Sequence, residues 1–267
     1  METDRRVLER YELTDEDARL WEPGKGDLVR LRTWDIFERY LPPSGRLLDV
    51  GGGPGAHAAH LAERGFDVLL LDPVEKHLQA ARQRATSREQ WTFEIGPGDA
   101  RELPVPDSNF DVVLLMGPLY HLVDASDRGK ALREAHRVLR PGGTVLAEII
   151  CHHAWVLDAT LRNRLSEPDI WDVFTRNIET GLSQDPVALS DGGFWAYFHR
   201  PEELRSELIG AAFADVELVA VEGFGWILGD LDRRFQQPGF LLRAHRPGCS
   251  GMLQQATSHQ PQTLTSD

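Results

Sequence analysis

Nine residues, Leu47 to Gly55, constrain this chain more than any other stretch: Leu-Leu-Asp-Val-Gly-Gly-Gly-Pro-Gly. An apolar run leads into an acid, then a glycine-rich turn, and a helix-compatible run opens at Ala56. That order predicts a strand, a turn and a helix with a ligand at the turn. Glycines accept positive φ and let the backbone approach a bound group closely. The helix that follows points its unpaired N–H groups at the same place. Asp49 narrows the ligand further. A carboxylate just ahead of the turn repels a pyrophosphate and suits a group carrying an ammonium or a sulfonium.

Gly51, Gly53 and Ala56 also satisfy the dinucleotide pattern G-x-G-x-x-A, which is a weak signal alone. On that stretch by itself a nicotinamide or flavin site, an S-adenosylmethionine site and a structural turn all stay open. Two later acids narrow the choice. Val68 to Leu71 form a second apolar run that ends at Asp72-Pro73, about 20 residues beyond the glycines, where a carboxylate accepts both ribose hydroxyls. Gly98-Asp99-Ala100 follows a short strand expected over Trp91 to Ile95, and Asp99 there can accept from an adenine amino group. Acids at three successive strand ends fit one ligand with an amino acid, a ribose and an adenine.

With these residues the chain resembles the class I S-adenosylmethionine-dependent methyltransferases. Besides Leu47–Gly55, Asp72-Pro73 and Gly98-Asp99-Ala100, the resemblance is carried by Phe110-Asp111-Val112-Val113 and by Arg137-Val138-Leu139-Arg140-Pro141-Gly142-Gly143. It spans roughly Arg46 to Val221. Met116 to Leu122 and Tyr197 to Leu204 are similar to the branch that acts on small molecules. The resemblance implies an α/β fold, a Rossmann-like doubly wound and mostly parallel sheet with helices on both faces. It implies S-adenosyl-L-methionine as cofactor, no metal, and contacts from Asp49, Gly51, Gly53, Gly55, Asp72, Pro73, Asp99, Ala100, Met116 and Gly117. Members that methylate base or glutamine amides carry Asn or Asp, then Pro-Pro and an aromatic, after strand four. Here Gly117-Pro118-Leu119-Tyr120 stands in that place, and glycine has no side-chain acceptor for an amino group.

Charge points the same way. A formal net charge of −13 disfavours a nucleic acid substrate, whose phosphates would be repelled. The two cysteines, Cys151 and Cys249, do not form a framework, so a reducing cytoplasm is expected. The charged start (Glu2, Asp4, Arg5, Arg6) and the lack of a long apolar run argue against a signal segment or a membrane partner. A small-molecule methyl acceptor and a monomer or homodimer are expected.

Helices and strands alternate along the chain, as a parallel sheet covered on both faces requires. Helices are expected over Asp27–Leu41, Ala56–Arg64, Glu75–Ala85 and Arg128–Leu139. A further helix starts at Pro201, with Leu204, Leu208 and Ile209 as its buried stripe. Strand five is expected over Thr144–Ile150 and strand six over Asp215–Val221. Residues 1–45 then form an N-terminal helical segment. Residues 46–150 and 200–245 form the cofactor-binding domain, and 151–199 an inserted cap. That insertion is too long for an ordinary connection, and its Trp155, Trp171, Phe174, Phe194, Trp195 and Tyr197 suggest an aromatic lid over a partly apolar substrate. After Val221 only Phe240-Leu241-Leu242 could supply a seventh strand, so that strand is expected to be short or absent, and the polar tail over 246–267 disordered.

Methyl transfer is an in-line displacement in which alignment does much of the work. A base is needed only where the acceptor must lose a proton. His121, just past strand four, is the first candidate for that base and His199 the second. The acceptor is expected to offer an O, N or C atom. Two other readings stay open from sequence: an enzyme of this fold with a non-methylating reaction, and a nicotinamide-dependent oxidoreductase.

Overall fold

Adjacent side chains along the apolar runs face opposite ways, and this decides the layering. Leu47, Val112 and Leu114 belong to one buried cluster; Leu48, Val113 and Leu115 belong to another. Strands apolar on both faces need helices on both faces. The computed structural model describes residues 5–21, 25–88, 92–161, 163–168, 170–185, 194–221 and 240–245. Three N-terminal helices come first: α1 (Arg5–Leu13), α2 (Glu16–Trp21) and α3 (Lys25–Tyr40). Then follow β1 (Gly45–Val50), α4 (Ala56–Glu63), β2 (Phe66–Asp72), α5 (Glu75–Ser87), β3 (Glu94–Pro97) and β4 (Phe110–Leu115). The one-turn α6 (Pro118–His121), α7 (Ala125–Val138) and β5 (Leu139–Ile149) complete the first half.

One face of the sheet is covered by Ile36 and Phe37 of α3, Ala58 and Leu61 of α4, and Leu78 and Ala81 of α5. The other is covered by Ala131, Leu132 and Val138 of α7, and by Leu204 and Leu208 of α10 (Pro201–Gly210). The sheet closes with β8 (Ala214–Ala220) and β9 (Phe240–His245), and its strand order is β3-β2-β1-β4-β5-β9-β8. Pairing is parallel from β3 through β5, and β9 runs antiparallel to both β5 and β8. The order reverses between β1 and β4. In open α/β sheets the crevice beyond the carboxyl ends at that reversal is the ligand site, and here it lies past Val50 and Leu115.

The seventh strand corrects one expectation. β9 pairs with β5 over six residues, from Phe240 opposite Ile149 to His245 opposite Thr144. Backbone pairing between two strands, not the apolarity of Phe240 to Leu242, carries it through Arg243 to His245. The edge of β5 is therefore covered by a strand. The expected disordered tail lies outside the described residues. Two smaller differences have local causes. Strand five starts at Leu139, with residues 140–143 bulging where its register against β4 shifts. Ile209 is 58% exposed, because the helix turns Pro201, Leu204 and Leu208 to the core and carries its next residue round to solvent.

Between β5 and α10 lies the insertion: α8 (Ala154–Leu161), α9 (Ile170–Thr180) and the antiparallel pair β6 (Leu182–Asp185) and β7 (Phe194–Tyr197). Among the described residues no helix is long and apolar enough to cross a membrane.

Candidate active site

The turn after β1 is wound so tightly that side chains are excluded from it. Gly51 (φ +68°) and Gly53 (φ +56°) sit in the left-handed region. A Cβ on Gly51 would lie 2.9 Å from the Pro118 ring, and one on Gly52 would lie 2.7 Å from Oδ2 of Asp49. At Gly53 a Cβ would meet nothing within 4 Å, so that glycine faces open space. The Gly51 N–H donates to the Leu71 carbonyl at 2.7 Å, and the Gly53 N–H to Oδ2 of Asp72 at 2.9 Å. Gly55 (φ +80°) starts α4 and does not border the cavity; its close neighbour is the Phe93 ring.

Beneath the turn lies a cavity of about 440 Å³. It brings together nine of the ten expected cofactor residues: Asp49, Gly51, Gly53, Asp72, Pro73, Asp99, Ala100, Met116 and Gly117. Asp49 is the most telling of them. It is fully buried, and neither carboxylate oxygen has a hydrogen-bond partner among the described residues. Burial, and then the neighbouring charge of Asp72, push its pKa up to about 7. A buried polar group without a partner costs stability, and a charged one costs more. Asp72 is better supplied: Oδ1 accepts from the Val74 N–H at 2.8 Å and lies 3.1 Å from Nδ1 of His77. Asp99 accepts from the main chain and guanidinium of Arg101, which also reaches Asp127 at 2.7 Å.

The expected aromatic lid is not what roofs this cavity. No residue of 151–199 lines it among the described ones. Trp155 stacks on Phe198 and donates to Ser183, and Tyr197 lies under the Arg128 guanidinium. The roof comes instead from the N-terminal helices, through Val7, Tyr11, Glu16, Arg19 and Leu20. Two cations of α5 tie it down. Lys76 Nζ donates to the carbonyls of Tyr11, Glu12 and Thr14 at 2.9 to 3.1 Å. Arg84 bridges the Pro54 carbonyl of the glycine turn (2.9 Å) to Asp17 of α2 (2.5 Å). These roof residues lie upstream of every motif, so no local pattern announced them.

The two histidines named from sequence part company. His121 borders the cavity, with Nε2 2.5 Å from the Tyr11 hydroxyl. Burial, then the charge of Arg10, pull its pKa down to about 3, outweighing the Trp195 main chain, which acts to raise it. Its ring is therefore neutral through the whole physiological range. His199 does not reach the cavity. It is fully buried where the chain returns to the end of β5, with its N–H on the Ile150 carbonyl (2.8 Å) and Nε2 3.6 Å from Glu207. Burial holds its pKa down, and Arg128 occupies the same Glu207 carboxylate. That cluster joins α7 to α10, and His199 and Glu207 are not among the residues that line the cavity.

An unpartnered buried carboxylate beside an open glycine turn, with two further acids at the next strand ends, fits a nucleoside that carries a positive charge. Residues 48–147 match the family described as a methyltransferase domain. The chain is 32% identical to the ubiquinone biosynthesis O-methyltransferase of Caulobacter sp. (strain K31), over 72% of this chain and 70% of the relative. It belongs to the S-adenosylmethionine-dependent methyltransferases. A glycine/sarcosine N-methyltransferase of Parasynechococcus marenigrum (strain WH8102) is 29% identical over 78% of this chain and 74% of its own. A methyltransferase of Methanosarcina mazei shares the fold with a TM-score of 0.61 at 23% identity, over 80% of this chain and 97% of that one. The cofactor of this methyltransferase is S-adenosyl-L-methionine, and both the oxidoreductase and the structural-turn readings fall away.

Proposed function

We propose that this methyltransferase transfers the methyl group to an O, N or C atom of a small, partly apolar organic molecule held between the glycine turn and the roof of α1 and α2. The bound cofactor supplies an electrophilic methyl on a sulfonium. Asp49 holds the ammonium, Asp72 the ribose hydroxyls and Asp99 the adenine amino group, with Gly51, Gly53, Pro73, Ala100, Met116 and Gly117 along the ligand's path. The unpartnered carboxylate of Asp49 is the observation that carries this reading, because a cation relieves its cost. A cavity of about 440 Å³, roofed by Val7, Leu20 and Val29, suits a small acceptor rather than a polymer.

Tyr11, rather than His121, meets the acceptor. With the proton of its neutral ring on Nδ1, His121 leaves Nε2 to accept the Tyr11 O–H. The Tyr11 oxygen then presents only lone pairs to the cavity. It accepts a hydrogen bond from the N–H or O–H of the acceptor and aims that atom at the methyl. His121 is thus a positioning residue. A base whose pKa lies near 3 cannot hold a proton for long at neutral pH.

Calorimetry with S-adenosylhomocysteine and NAD, followed by turnover of radiolabelled cofactor against a panel of small amines, phenols and enols, tests the reading. Binding of the homocysteine product alone, with label moving to one acceptor class, is the expected result. Tight NAD binding, or label that moves only to protein or RNA, would sink it.

A further inference from the structure

Arg19 is a roof cation whose charge the proposed function has not used. It lines the cavity, and 64% of its side-chain surface is accessible. Its Nε donates to Oε2 of Glu16 at 3.0 Å. Neither terminal nitrogen has a partner among the described residues, which leaves four N–H donors at the open end of the guanidinium. Glu16 takes the side edge of the fork, so the end-on edge is what remains. Two parallel N–H donors in one plane match the two oxygens of a carboxylate.

We propose that the methyl acceptor carries a carboxylate and that Arg19 binds it end-on. The inference rests on the cavity being the acceptor site. Position within the cavity separates the acceptor from the cofactor as the source of that carboxylate. The Arg19 charge acts on Tyr11, Tyr120 and Glu148, and it also bears on His57 and His121. It is not among the charges that act on Asp49. The cofactor's carboxylate shares a carbon with the ammonium that Asp49 holds, so a cation placed to bind it would bear on Asp49 too. Arg19 instead acts on Tyr11 and His121, which line the cavity with it and where the proposed function positions the methyl-accepting atom. Glu16 and Glu148 repel an anion that misses the fork, so the site selects for one that engages it directly. The acceptor then combines a carboxylate with an N–H or O–H for Tyr11 and an apolar body for Val7, Leu20 and Val29.

The test uses the full chain saturated with S-adenosylhomocysteine, titrated with matched pairs: acetate and acetamide, hexanoate and hexanamide, benzoate and benzamide, indole-3-acetate and its amide. At least one acid should bind about 10- to 100-fold tighter than its amide, the worth of hydrogen bonds to a charged group. Arg19→Met should remove that preference and leave S-adenosylhomocysteine affinity unchanged, which also reports that the variant is folded. Arg19→Lys, a point charge without the fork, should restore only part of it. No preference in any pair, or a preference that survives in Arg19→Met, overturns the proposal. So does an equal loss of S-adenosylhomocysteine affinity in Arg19→Met, which would assign the guanidinium to the cofactor. Failure of the unmodified chain to bind S-adenosylhomocysteine would bring down the reading of the cavity as well.

Discussion

Asp49 should change its protonation when the cofactor binds, and the size of that change follows from where it sits. The carboxyl is fully buried, has no hydrogen-bond partner among the described residues, and has its pKa raised from 3.8 to about 7 by burial and by Asp72. A shift of that size corresponds to about 4 kcal/mol of destabilisation once the group is ionised. Because the folded value is the higher one, the folded chain holds the proton more tightly than the unfolded chain. Stability is therefore unaffected below about pH 4, falls as pH rises toward about 7, and is flat above that. At pH 6 roughly nine-tenths of the unliganded protein carries the proton. An ammonium placed against the carboxylate favours its ionised form, so binding at pH 6 should release close to one proton and at pH 8.5 almost none. Calorimetric titration of S-adenosylhomocysteine in buffers of different ionisation enthalpy reads that number directly. In Asp49→Asn the release at pH 6 should vanish and affinity should drop. The variant's stability without ligand should also gain on the wild type between pH 4 and 7. Equal proton release in the two proteins would refute the assignment of the ammonium to Asp49.

The other expectations follow from the turn and its roof. His121→Ala should lower turnover only about 2- to 10-fold, the worth of one ordinary hydrogen bond to Tyr11. With cofactor saturating, so that Asp49 is already ionised, the wild-type pH–rate profile should show no limb near 6.5, since the His121 ring has its pKa near 3; a loss beyond about 100-fold in His121→Ala would restore its role as a base. Gly52→Ala would drive a Cβ to 2.7 Å from both Asp49 Oδ2 and Leu70 Cδ1. Thermal unfolding should report a cost of about 1–3 kcal/mol, together with weaker S-adenosylhomocysteine binding. Arg84→Ala cuts the tie between Pro54 and Asp17. Hydrogen exchange over residues 16–21 should accelerate, while S-adenosylhomocysteine affinity falls by less than about 10-fold because no contact to it is removed.

The half of the cavity proposed to face the cofactor was legible in sequence because it is locally encoded. Asp49 and Asp72 sit at the ends of strands that their own apolar residues announce, Asp99 follows β3 two residues past Pro97 rather than the strand expected over Trp91 to Ile95, and Gly51 and Gly53 are required by a turn that closes within a few residues. The half that faces the acceptor has no such code. Tyr11 and Arg19 enter the cavity because Lys76 and Arg84 hold α1 and α2 across α5, contacts between segments more than 60 residues apart. The same distance hid the character of His121. Its position after β4 made it look like a base, but its acidity is set by burial and by the charge of Arg10 of α1, which no pattern around His121 announces. Aromatic content misled for a related reason. Trp155 and Tyr197 find their partners in Phe198 and Arg128, so the insertion props the roof from outside while the polar N-terminal helices form its inner surface. A roof built from elements unrelated to the sheet can change its side chains without disturbing the glycine turn. The proposed function therefore places the choice of acceptor with residues 7–20, upstream of the residues 48–147 that match the methyltransferase domain.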